Sequence, residues 1–108
     1  MMTNVRQLRQ VLKALGDDTR LRMVNILQYG ELTVKDICGI LGIKQPTASK
    51  HLVRLRLLRI VRDRRSGNRV HYALNPDSLQ ERTVKLILTK FKGLEGFKKD
   101  AARIGRSR

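Results

Sequence analysis

The sequence predicts a mainly helical domain, with about five helices and one small two-stranded β-hairpin. Apolar residues recur at helical spacing over most of the chain, and glycine or proline interrupts this pattern at short intervals. One short segment alternates instead between apolar and polar residues, which is typical of strands. The length of 108 residues is that of one domain. We therefore expect a single domain over residues 1–97 and a basic, flexible tail over residues 98–108.

The first half of the chain carries three helical patterns. The first covers residues 4–15, and the second begins beside the carboxylates at 17–18 and ends before Gly30. A short third helix begins at Thr33, where Asp36 three residues later approximates a capping box. Glycines close each of these segments, so we expect short helices joined by tight turns.

A fourth helix and a hairpin follow. Pro46 suits the first position of a helix with Gln45 as its cap, and the helical pattern continues to about Leu57. Two alternating runs, at 60–64 and 69–74, are separated by a Ser-Gly turn, which predicts a hairpin. Two short helices followed by a basic hairpin indicate a winged helix-turn-helix.

The fourth helix is the candidate recognition helix. A rotation of about 100° per residue places Ala48, Leu52 and Leu55 on the core side. The helix start and the opposite side carry short polar side chains for base edges and cations for phosphates. The hairpin adds long basic side chains suited to the backbone or the minor groove. The expected DNA-binding residues are Lys44, Gln45, Thr47, Ser49, Lys50, His51, Arg54, Arg62, Arg64, Arg65, Asn68 and Arg69.

The charge balance favours a polyanionic partner. Lys and Arg number 24 against 9 Asp and Glu, a formal net charge of +15, and nucleic acid is the commonest partner of so basic a small domain. No segment reaches the roughly 20 apolar residues of a membrane span, and the first residues lack the apolar core of a secretion signal. The single cysteine, Cys38, fits a reducing compartment. We expect a cytoplasmic protein that binds double-stranded DNA and no membrane.

Several motifs in this order resemble those of the ArsR/SmtB winged helix-turn-helix repressors. They lie at residues 12–22, 30–37, 45–52, 61–65 and 67–74, and include Gln-Pro-Thr-Ala-Ser-Lys-His-Leu in the fourth helix. The resemblance implies a homodimer built on the first and last helices and bound to an imperfect palindrome. It also implies a repressor that an effector releases from DNA.

The terminal helices agree with such a dimer. The first helix and a last helix from about Asp77 to Phe97 each carry more apolar residues than one domain face requires. A two-fold dimer would hold its recognition helices about one DNA turn apart. The candidate interface residues are Leu8, Val11, Leu12, Ile87, Phe91 and Leu94.

The sequence departs from the metal sites of that family. Its arsenic and cadmium sensors carry paired cysteines in the third helix, where this chain has Thr33 and Lys35, and only Cys38 matches. Its zinc and nickel sensors use histidines on the last helix, which has none here. One thiolate does not make a tight soft-metal site. We expect no metal and no other cofactor, and the effector, small molecule or oxidant, stays unidentified.

Cys38 leaves two interpretations open. A lone thiol can sense oxidants by being capped or by pairing across a dimer. It can also be a small core residue on the apolar stripe of the third helix, because free cysteines are among the most buried residues. The sequence favours core packing over redox sensing.

Functions of other classes have less support. A non-specific nucleoid- or RNA-associated protein would suit the broad positive charge, but it needs no short polar side chains on the fourth helix. A protein-binding module would require an acidic partner. No nucleophile–base pair or glycine-rich phosphate loop indicates an enzyme. The sequence therefore predicts a dimeric, sequence-specific transcriptional repressor.

Overall fold

A computed structural model describes residues 4–76 and 79–107, and Asp77, the expected start of the last helix, lies outside them. The described elements are α1 (Val5–Leu15), α2 (Asp18–Leu27), β1 (Leu32–Thr33), α3 (Val34–Leu41), α4 (Gln45–Leu57), β2 (Val61–Ser66), β3 (Arg69–Leu74), α5 (Leu79–Phe91) and α6 (Glu95–Ser107). The predicted fold class, mainly helical with a small hairpin, is confirmed. None of these described helices is both long and apolar enough to cross a bilayer.

Side-chain caps fix where α2 and α3 begin. Asp17 Oδ1 accepts a hydrogen bond from the Arg20 amide at 3.0 Å and starts α2. At α3, Thr33 Oγ1 accepts from the Asp36 amide while Asp36 Oδ2 accepts from the Thr33 amide, both at 3.1 Å. These reciprocal bonds confirm the predicted capping box.

The three strands form one antiparallel sheet in the order β1-β3-β2. A two-residue turn, Gly67–Asn68, joins β2 to β3, and Gly67 takes a φ of 62° that suits glycine. Strand β1 pairs with β3, so that Leu32 lies opposite Tyr72. The sequence does not predict β1, because two residues are too few to show alternation.

The core lies where α2, α3 and α4 meet the sheet. Its largest fully buried side chains are those of Met, Ile, Leu and Val, and none of them is aromatic. Val11, expected at a dimer interface, is 1% exposed and belongs to this core. The helical spacing of α1 does not by itself separate the side that packs inward from the side left open. The other buried apolar residues include Met23, Ile26, Leu32, Ile37, Ile40, Leu52, Leu55, Ile60 and Leu88.

The C-terminal region differs from the sequence prediction. The last helix is two helices, because α5 ends at Phe91 and α6 begins at Glu95. Residues 98–107, expected in a flexible tail, continue α6, which packs against α2 and α3. Asp100 and Ile104 are buried there. The sequence does not predict this helix, because its few apolar residues at helical spacing lie among many cations.

Polar contacts hold α6 in this position. Arg22 of α2 pairs with the buried Asp100 of α6, and this contact raises the pKa of the guanidinium. Arg103 Nη1 donates to the Ile40 carbonyl oxygen of α3 at 3.1 Å. The helix is thereby tied to both of the helices on which it packs.

Candidate nucleic-acid interface

Helix α4 is anchored by one side. Ala48, Leu52 and Leu55 have no exposed surface, as their spacing predicts. The side of the helix away from the core consequently projects into solvent. The predicted DNA-contacting residues Thr47, Lys50 and Arg54 are exposed on α4.

The start of α4 leaves polar groups accessible. Lys44 is the N-cap and Gln45 the first helical residue, one position earlier than the sequence predicts. Both side chains are exposed. Within the described structure no side chain caps this helix, so its first amides remain available to an anion.

Ser49 and His51 are half-buried on the flanks of α4. His51 Nδ1 lies 3.1 Å from Arg20 Nη1 of α2. Arg20 in turn donates from Nε to the Ala14 carbonyl oxygen at 2.6 Å. The sequence does not indicate this role of Arg20, because its contact with His51 spans 31 positions of the chain.

The hairpin of β2 and β3 is the wing, and all five of its predicted DNA-contacting residues are exposed. The pairing of the strands places Arg64 opposite His71 and Arg65 opposite Val70. Successive side chains of a strand alternate between its faces, so these two arginines lie on opposite faces of the wing. The five exposed residues are Arg62, Arg64, Arg65, Asn68 and Arg69.

Arg64 is occupied by an internal partner. Its Nη2 lies 2.5 Å from Glu31 Oε1, and its Nε donates to Oε2 at 3.2 Å. His71 Nδ1 lies 3.3 Å from the same Oε1. The hydrogen bond from Arg64 holds the pKa of Glu31 below its ordinary value and raises that of Arg64. Sequence reasoning misses Glu31, which lies outside both the helix and the wing.

A groove of about 240 Å³ separates the wing from the helices. Gln45 of α4, Lys35 of α3 and Asn68 and Arg69 of the wing tip all line it. The fold thus brings two groups of predicted residues, from the recognition helix and from the wing, to one opening. Lys35 is an additional cation at this opening, and the sequence does not predict it as an interface residue.

A second concavity, lined by basic residues, lies between α4 and the α1–α2 region. Its volume is about 490 Å³. Lys50, His51 and Arg54 of α4 meet Lys13 and Arg20 there. Positive charge therefore continues from α4 onto α1 and α2, where the sequence predicts no DNA contact.

The described residues offer no obvious metal or redox centre. Among them, no three potential metal-ligating side chains of His, Cys, Asp or Glu lie together. Cys38 is half-buried and packs against the core, and burial raises the pKa of its thiol. A raised pKa lowers the thiolate fraction, which is the reactive form. The geometry agrees with core packing of Cys38.

Apolar side chains also remain exposed on the terminal helices. On α1, Val5 is 83% exposed, and Leu8 and Leu12 follow it on the same stripe. Leu86 on α5 is 67% exposed. Phe91 and Leu94 are exposed as well, whereas Ile87 is partly buried against the core.

Comparison with known proteins assigns the chain to a family. The model of the family described as "Bacterial regulatory protein, arsR family" matches residues 17–63, from the cap of α2 into β2. The transcriptional repressor SdpR of Bacillus subtilis (strain 168) is 35% identical over 71 residues, which cover 66% of this chain and 79% of that protein. The chain belongs to the arsR family of bacterial regulatory proteins.

Two further comparisons extend this result. The arsenical resistance operon repressor of Escherichia coli (strain K12) is 46% identical over 68 residues, covering 62% of this chain and 58% of that protein. The chain thus spans little more than half the length of that relative. The solution structure of a homodimeric winged helix-turn-helix DNA-binding domain, Mb0332 of Mycobacterium bovis, superimposes with a TM-score of 0.71 at 28% identity. That comparison covers 88% of this chain and 94% of the Mycobacterium bovis domain.

Proposed function

We propose that this arsR-family protein is a dimeric transcriptional repressor that binds promoter DNA through α4 and the wing. The groove shared by Gln45, Asn68 and Arg69 carries this proposal, because it lets one stretch of duplex contact the helix and the wing together. The relatives SdpR and the arsenical resistance operon repressor are repressors by name. A DNA-bound repressor would act in the cytoplasm.

The side chains of the proposed interface divide into two proposed roles. Gln45, Thr47 and Ser49 are short or amide side chains near the start of α4, and we assign them to base edges. The cations bind phosphates and fix the position of the helix in the major groove. These cations are Lys44, Lys50, Arg54, Arg62, Arg65 and Arg69.

We assign the dimer interface to the exposed and partly buried apolar residues of α1, of α5 and of the turn that follows α5. Burial of Leu8, Leu12 and Phe91 against a second copy would remove an apolar surface that monomers rarely expose. A homodimeric relative of the same fold supports this assignment. Two-fold symmetry would then present two α4 helices to successive major grooves. The proposed interface comprises Val5, Leu8, Leu12, Leu86, Ile87, Phe91 and Leu94.

Selection from random duplexes at physiological salt tests the function. The proposal predicts enrichment of a two-fold symmetric motif, whose half-sites lie about one helical turn apart. Tight binding at low salt without any enriched motif would instead identify a non-specific nucleic-acid protein, the alternative that the net charge of +15 supports.

A further inference from the structure

We propose that the basic concavity between α4 and the α1–α2 region binds a phosphate of the DNA backbone, and that Arg20 positions His51 for this contact. This inference rests on the proposed function, because its occupant is duplex DNA. It extends the interface beyond the recognition helix and the wing. Arg20 acts through His51 and is therefore a positioning residue.

Arg20 is hydrogen-bonded through both its backbone and its side chain. Its amide donates to Asp17 Oδ1 at 3.0 Å, and its Nε donates to the Ala14 carbonyl oxygen at 2.6 Å. The same guanidinium lies 3.1 Å from His51 Nδ1 through Nη1. A guanidinium that belongs to α2 and is bonded to α1 thus contacts the ring of a residue on α4.

The contact also selects one tautomer of the imidazole. A guanidinium donates hydrogen bonds and accepts none, so Nδ1 of His51 is the acceptor in this contact. The ring proton then resides on Nε2. Nε2–H is a donor suited to a phosphate oxygen, which accepts hydrogen bonds.

The charges around His51 select an anion. Lys13, Lys50 and Arg54 line the same concavity with Arg20, and its described lining contains no carboxylate. The nearby carboxylate of Asp17 accepts a hydrogen bond from the Arg20 amide, and this bond lowers the pKa of Asp17. An exposed cationic concavity on the flank of α4 lies where a strand bordering the major groove would pass. A backbone phosphate therefore fits its chemistry.

The first part of the test examines the imidazole without DNA. The ¹⁵N chemical shifts of the His51 ring distinguish the two neutral tautomers and the imidazolium in the free protein. We expect the Nε2–H tautomer in the wild type and its loss in Arg20→Gln. A His51 ring that is Nδ1–H or charged in the wild type would overturn the positioning role, whatever the protein does to DNA.

The second part measures affinity for the selected duplex and for an unrelated one. Gln places its amide near the position of Nε2, whereas Asn reaches only that of Nδ1. His51→Gln should stay within about twofold of the wild type, while His51→Asn and Arg20→Gln should each weaken both duplexes about tenfold. The double variant Arg20→Gln/His51→Asn should be no weaker than the weaker single variant by more than about twofold, because the two residues act as one unit.

Controls separate this site from general charge and from folding. Lys99→Gln removes one positive charge from α6 and should leave affinity within about twofold. If Arg20→Gln does not fold, the pair His51→Gln and His51→Asn still decides the question. Equal affinities for that pair, or a loss no larger than that of Lys99→Gln, would overturn the proposal. If no variant of this chain bound any duplex, the proposed function would fail, but the tautomer measurement would still stand.

Discussion

Arg22 and Asp100 form a bidentate ion pair between α2 and α6. Arg22 Nε lies 2.8 Å from Asp100 Oδ2, and Nη2 lies 2.9 Å from Oδ1. The carboxylate side chain is 2% exposed and the arginine side chain 34%. A buried carboxylate needs such a partner, since an unpaired buried charge is strongly destabilising. The pair therefore docks the C-terminal helix on the DNA-binding core.

Replacing Asp100 should destabilise the protein. Asp100→Asn keeps the shape but removes the charge that Arg22 faces, and we expect a loss of about 2 kcal/mol in the free energy of unfolding. Urea denaturation measures it. Glu95→Gln, which breaks the exposed pair with Lys99, is the matched control and should cost no more than about 0.5 kcal/mol. Equal effects of the two variants would mean that α6 contributes nothing through this pair.

Stability should depend on pH through the cap of α2. The hydrogen bond from the Arg20 amide lowers the pKa of Asp17 below its ordinary value of 3.8. The folded state then binds a proton less readily than the unfolded state, so the contribution of Asp17 is complete above that value and is lost as pH falls through the lowered pKa.

The variant Asp17→Ala measures this contribution. It should cost about 1 kcal/mol of unfolding free energy near pH 7, as the loss of a helix cap does. The difference from the wild type should shrink as the pH falls below the ordinary value of 3.8 and through the lowered pKa of Asp17. A difference that stays constant over this range would show that the charge of Asp17 is irrelevant to the cap.

The two faces of the wing should differ in their effect on DNA binding. Glu31 neutralises Arg64, whereas Arg65 is exposed and makes no ion pair with the described residues. Arg65→Ala should lower affinity on all duplexes and reduce the salt slope by about 0.9, the value for one phosphate. Arg64→Ala should change the slope by less than half as much. If the two alanine variants gave equal slopes, the pair with Glu31 would not persist on DNA.

A charge on α1 should separate the dimer. Leu12 is half exposed on the stripe that begins at Val5, so Leu12→Glu would bury a carboxylate in the proposed interface. Sedimentation at micromolar concentration should show a monomer for this variant and a dimer for the wild type. Tyr29→Glu, at an exposed apolar residue outside the interface, should remain dimeric. A dimeric Leu12→Glu variant would place the interface elsewhere.

The local features of the DNA-binding region could be predicted from the sequence. The box of Thr33 and Asp36 and the buried side of α4 depend on residues three or four positions apart, so spacing alone indicates them. The turn at Gly67 is likewise a local signal. These elements carry the residues of the proposed interface, so those residues could be named as candidates from the sequence.

The features that the sequence does not predict depend on distant contacts. Arg22 and Asp100 are 78 positions apart, and Arg64 and Glu31 are 33 apart. The spacing of residues along the chain does not indicate which distant charged residue a side chain contacts. For the same reason, the basic segment that forms α6 resembles a solvated tail in the sequence. Only the structure shows that its buried carboxylate, Asp100, pairs with Arg22.

The ratio of affinities for the selected duplex and for a scrambled duplex of equal length, measured at physiological salt, tests the central claim most directly. A sequence-specific repressor should bind its own site at least about 10³-fold more tightly. Equal affinities that fall together as salt rises would contradict the account, because charge alone would then explain the binding.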